Sequence, residues 1–75
     1  MAHVRSSAIA FVHYDDTTAT LFIEFNNGRL YAYTKVPRSA YLQLIQAASV
    51  GAHFNRRIRP KYRGTLVRRR RPSRG

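Results

Sequence analysis

Thr20-Leu21-Phe22-Ile23-Glu24-Phe25-Asn26-Asn27-Gly28-Arg29-Leu30-Tyr31-Ala32-Tyr33-Thr34 reads as two strands joined by a tight turn. Branched and aromatic residues fill both arms, as a pleated, half-buried surface requires. Between them Asn27-Gly28 is a strong hairpin signal, because both residues tolerate positive φ. A two-residue loop there sets Phe25 against Leu30, Glu24 against Tyr31, Ile23 against Ala32 and Phe22 against Tyr33. One face then carries Leu21, Ile23, Phe25, Leu30 and Ala32 and is expected to be core. The other carries Phe22, Glu24, Arg29, Tyr31 and Tyr33. A slip of one residue in either strand would exchange its faces.

Upstream, Ile9, Phe11, Val12 and Tyr14 form a further β-prone run, closed by the turn formers Asp15-Asp16-Thr17-Thr18. Downstream, the period changes at Val36-Pro37, since proline suits the first turn of a helix. Tyr41, Leu44, Ile45 and Ala48 recur at helical spacing. Ser49 is placed to cap a second helix, in which Val50, Phe54 and Ile58 share a face and Arg56, Arg57 and Arg59 project elsewhere. Arg59 precedes Pro60, a stop signal. Gly51 permits close packing, and Asn55 is expected to bond a neighbouring backbone. The sequence therefore predicts an α+β domain over residues 4–67: a three-stranded antiparallel β-meander, two short helices, and a disordered basic tail over 68–75.

Charge divides the chain more sharply than hydrophobicity does. Residues 1–55 hold four Lys/Arg and three Asp/Glu, whereas residues 56–75 hold ten Lys/Arg and no acid. The net charge is +11 on 75 residues. A charge of this size repels itself, and an anionic partner explains it better than solubility does. Arg56, Arg57, Arg59, Lys61 and Arg63 lie at the end of the second helix, and Arg68, Arg69, Arg70 and Arg71 open the tail. Arginine dominates, which suits bidentate phosphate contact, base stacking and carboxylate clusters alike. If about six of these groups neutralise phosphates, log K falls against log salt with a slope of about −5. Tyr31 and Tyr33, spaced i and i+2, are candidate base-stacking residues or, alternatively, core aromatics under the helices.

Other chemistries find less material. There are no cysteines, which excludes disulfides and thiolate zinc sites. Asp15, Asp16 and Glu24 are the only acids, and His3, His13 and His53 share no metal-ligand spacing. A Ser6-Ser7 nucleophile with His13 lacks an orienting partner. A non-enzymatic protein without cofactor, metal or small-molecule substrate is expected. No apolar run spans a membrane, the N-terminus lacks a signal-peptide core, and no free amphipathic face suits a membrane surface. A cytoplasmic location is expected.

Val4-Arg5-Ser6-Ser7-Ala8-Ile9, Tyr14-Asp15, Tyr31-Ala32-Tyr33, Val36-Pro37 and Ser49-x-Gly51-x-x-Phe54-Asn55-x-x-Ile58-Arg59 together resemble the KTSC domain, over about residues 4–62. That domain occurs at the C-terminus of some lysyl-tRNA synthetases and as a stand-alone protein in bacteria and phages. The resemblance implies RNA binding, and the arginine tail lies outside it. A small, basic, stand-alone protein of this type is also similar to phage-encoded regulators that bind host RNA polymerase and alter initiation or termination. The expected partner is thus RNA or another nucleic acid, with host RNA polymerase or another acidic protein surface as the alternative.

The second helix divides accordingly into core anchors and charge. Replacing Phe54 with Ala is expected to cost about 3–5 kcal/mol and unfold so small a domain. Replacing Arg56, Arg57 and Arg59 together with Ala should leave it folded. Circular dichroism melts check both, and loss of the fold in the arginine variant would contradict the division.

Overall fold

The computed structural model describes residues 2–3 and 8–69 of the chain. Its order is β1 (Ala2–His3), β2 (Ile9–Asp15), β3 (Thr20–Phe25), β4 (Arg29–Tyr33), α1 (Arg38–Gln46), α2 (Val50–His53), a π-helical turn (Phe54–Ile58) and β5 (Gly64–Arg69). The strands form one antiparallel sheet in sequence order, β1-β2-β3-β4-β5. The fold is α+β, but among the described residues the sheet has five strands, not three. β1 is two residues long, below what a sequence pattern can reveal. β5 begins in the last residues of the expected domain, Gly64 to Val67, and runs on through Arg68 and Arg69, which it takes out of the supposed disordered tail. Residues 70–75 of that tail, with Arg70 and Arg71, lie outside the described residues, as does Val4-Arg5-Ser6-Ser7.

The hairpin forms with a different register. Glu24 pairs with Leu30, Ile23 with Tyr31, Phe22 with Ala32 and Leu21 with Tyr33. The loop has three residues, Asn26, Asn27 and Gly28. The Gly28 N–H donates to the Phe25 carbonyl at 2.9 Å, and Gly28 takes φ 89°. A tight turn closed by a left-handed residue is the usual three-residue hairpin. The Asn27 side chain secures it by accepting from the Arg29 N–H at 3.0 Å. Because side chains alternate along a strand, this single slip turns all of β4 over. Tyr31 and Tyr33 join Leu21, Ile23 and Phe25 beneath the helices, and Leu30 and Ala32 go to the opposite face with Phe22.

A bulge between Ile9 and Phe11 puts Ile9 and Val12 on the core side despite their odd spacing. The core unites Ile9, Val12, Leu21, Ile23 and Tyr33 of the sheet with Val36, Leu44, Val50, Phe54 and Ile58. Val50, Phe54 and Ile58 are thus buried as their spacing predicts, and Ser49 caps α2 by accepting from the Ala52 N–H at 3.3 Å. No helix here is long and apolar enough to cross a membrane, among the described residues.

The segment between sheet and helices is held by backbone bonds, among them one from the Val36 N–H to the Ala19 carbonyl at 2.9 Å, and by one tyrosine. Lys35 adopts a left-handed φ of 58°, which turns Val36 into the core. The Tyr14 hydroxyl donates to the Val36 carbonyl at 2.7 Å, and its ring stacks on Tyr41 at 5.0 Å. Strand, connection and α1 meet at this side chain. Tyr14→Phe keeps the stack and loses the hydrogen bond, so it should cost about 1 kcal/mol. In a domain of this size that lowers Tm by roughly 4–8 °C, measurable by thermal melting; an unchanged Tm would remove the bond from the account.

Candidate functional site

Four rings connect the second helix to the sheet. Phe54 meets Phe25 edge to face at 5.6 Å and Tyr33 at 5.4 Å. Phe25 meets Tyr31 edge to face at 5.7 Å, and Tyr31 lies beside Tyr33 at 6.4 Å. These geometries exploit the positive edges and negative faces of the rings. Tyr33 is only 6% exposed, so it is a core residue and its proposed role as a stacking platform does not survive. Tyr31 is half-buried and keeps part of its surface open.

Beside the quartet lies an open groove of about 540 Å³. Phe25, Tyr31, Tyr33, Phe54 and Tyr62 supply its aromatic walls, and Arg29, Arg59, Asn27 and Asn55 its polar ones. Arg59 and Asn55 reach it from the same helix. The Arg59 N–H donates to the Phe54 carbonyl, five residues back, at 2.9 Å. This π-helical turn contains one residue more per turn than an α-helix, a local departure often found at functional sites. Asn55 and Arg59, four apart, share the groove side of this turn while Phe54 and Ile58 stay in the core. Asn55 does not make the backbone bond expected of it: its side chain is exposed and has no hydrogen-bond partner among the described residues.

The structure separates the arginines that the sequence grouped. Arg59 joins the tyrosines, whereas Arg56 and Arg57 line a different concavity of about 410 Å³ with Gln43, Ser49 and His53 at the α1–α2 junction. Lys61 and Arg63 are exposed on the connection to β5. Arg29, expected on the return strand but not among the binding residues, lines the groove together with Arg59 as a second cation. Among the described residues no three His, Asp or Glu side chains cluster as metal ligands would.

Gly64 makes the groove's far wall. It pairs with Tyr33 across β4 and β5, and the Tyr33 ring lies over it. A Cβ at Gly64 would stand 2.6 Å from Tyr33 Cζ, closer than carbon atoms approach. Glycine is therefore required for β5 to dock, a demand that only the paired geometry reveals.

With this geometry in place, the comparisons give the family. Residues 5–62 match the KTSC domain, and the chain belongs to that family. The matched span includes the aromatic quartet, Asn55, Arg59 and Tyr62, and ends before β5. A lysine–tRNA ligase of Nostoc punctiforme is 44% identical over 59 residues, 79% of this chain and 10% of the ligase. The chain thus spans about a tenth of the ligases it matches. An uncharacterized protein of Stutzerimonas stutzeri is 36% identical over 79% of this chain and 83% of its own length. The crystal structure of a KTSC domain protein from Yersinia pestis superposes with a TM-score of 0.84 at 30% identity, covering 88% of this chain and 93% of that one.

Burial raises the Tyr33 phenol above its ordinary value, opposed by the Arg59 charge and reinforced by Tyr31. A folded-state pKa above the unfolded one means stability that is complete below the unfolded value of about 10 and lost as pH rises through the folded value. Melting temperatures should therefore fall above about pH 10, and fall less steeply for Tyr33→Phe. Parallel curves for the two proteins would show that this ionisation is not coupled to folding.

Proposed function

We propose that this protein is a non-enzymatic, cytoplasmic RNA-binding module whose groove holds one unstacked base of a single strand while its arginines hold the adjoining phosphates. The observation that carries this reading is the meeting of Tyr31 and Tyr62 with Arg29, Arg59 and Asn55 in one open groove. Aromatic surface for a base face, guanidinium groups for phosphate and an unpartnered amide for a base edge are the three contacts single-stranded recognition uses. A volume of about 540 Å³ suits a nucleotide-sized group. The net charge of +11 supplies the long-range attraction. Relatives named as lysine–tRNA ligases agree with an RNA partner.

A second reading is docking on an acidic surface of the transcription apparatus, host RNA polymerase if the protein is phage-encoded. One observation favours it: Leu66 and Val67 are exposed on β5 beside the basic stretch, as an interface anchor would be.

Titration of labelled single-stranded RNA at several salt concentrations tests the first reading. Tyr31→Ala should weaken binding by about 1–3 kcal/mol with little change in salt slope. Arg59→Ala should reduce the magnitude of that slope by about 0.7, the single-strand value per phosphate contact. Arg56→Ala, outside the groove, should lose less affinity than Arg59→Ala. Absence of binding at low salt would end the proposal.

A further inference from the structure

We propose that the outer edge of β5 is a docking site for an extended, acidic segment of a partner protein, which adds to the sheet as a further strand. The inference rests on the second reading above and is independent of the groove. The sheet has two edges, and they differ. At one end β1 is only two residues long. At the other, β5 runs for six, Gly64–Arg69, with no strand beyond it among the described residues. An edge of that length offers a row of backbone donors and acceptors, a template for another chain.

Two features say what fits it. Leu66 is 46% and Val67 52% exposed, so the edge strand carries apolar surface for a partner's side chains. The ladder passes from Leu30–Arg68 to Tyr31–Leu66, so Val67 is the bulged residue of β5 and has no partner in β4. Charge decides the rest. Lys61 to Arg71 contains six cations and no acid. Basic residues on an edge normally guard against self-pairing, because a second copy would lay like charge on like. The same field attracts a strand bearing Glu or Asp. The edge is thereby closed to its own kind and open to an acidic segment.

The test uses the full chain and a labelled peptide of about six alternating Glu and Val residues, the usual strand length. A second peptide has the same side chains and charge but N-methylated backbone nitrogens. Fluorescence anisotropy should show saturable binding of the first and at least about tenfold weaker binding of the second, which cannot complete the ladder. Amide exchange should slow along β5. A Leu66→Glu, Val67→Glu double variant, confirmed folded by circular dichroism, should lose a similar factor. Equal binding of both peptides would overturn strand addition while leaving docking on acidic protein intact. No saturable binding at low salt would overturn both. Displacement of the peptide from β5 by a single-stranded RNA oligonucleotide would assign the edge to nucleic acid instead.

Discussion

The structure depends on the Phe54 ring and its two edge-to-face contacts. One joins it to Phe25 of β3 and the other to Tyr33 of β4. Such pairs contribute about 0.5–1.5 kcal/mol each beyond burial, a large share for a domain with so few core residues. Their greater consequence is geometric. A ring gripped from two strands fixes both the height and the rotation of the helix above the sheet. Ile58, one turn on, is buried with it.

Rotation of that helix determines where its polar residues go. The widened turn from Phe54 to Arg59 keeps both anchors inward and sends Asn55 and Arg59 toward the tyrosines. Arg56 and Arg57 emerge on the other side, facing α1. A helix end rich in arginine thus becomes two surfaces of different character, one aromatic-walled and one not. The Tyr33 ring is shared between core and groove: it closes over Gly64 on one side, packs on Phe54 on another, and sits within reach of the Arg59 charge.

The helices cover only one side of the sheet, and charge is distributed to match. Phe11, His13, Phe22, Glu24, Leu30 and Ala32 belong to the opposite side and none joins the core cluster. The cations gather instead around the helix end, the connection that follows and β5. Crowding them at one end of a small body confines their mutual repulsion to a region where an anion can relieve it, leaving the hairpin nearly neutral.

The sequence by itself determined the local elements: β-prone runs bounded by turn formers, a helix after Pro37, a second helix capped by Ser49 and anchored by Val50, Phe54 and Ile58, and the family those motifs belong to. These follow from short-range chemistry, where neighbours a few residues apart dictate backbone preference. The tertiary structure decided the rest. Asn27-Gly28 announced a turn without saying whether two or three residues form it, and that one residue chose which face Tyr31 and Tyr33 occupy. β5 carries no alternating pattern, and its residues from Gly64 to Val67 are exposed; it is a strand because Gly64 lets it lie beneath Tyr33. The division of Arg59 from Arg56 and Arg57 follows from a helical turn whose extra residue no spacing rule anticipates. In each case the deciding contact joins residues distant in the chain, and only the folded backbone brings them within reach.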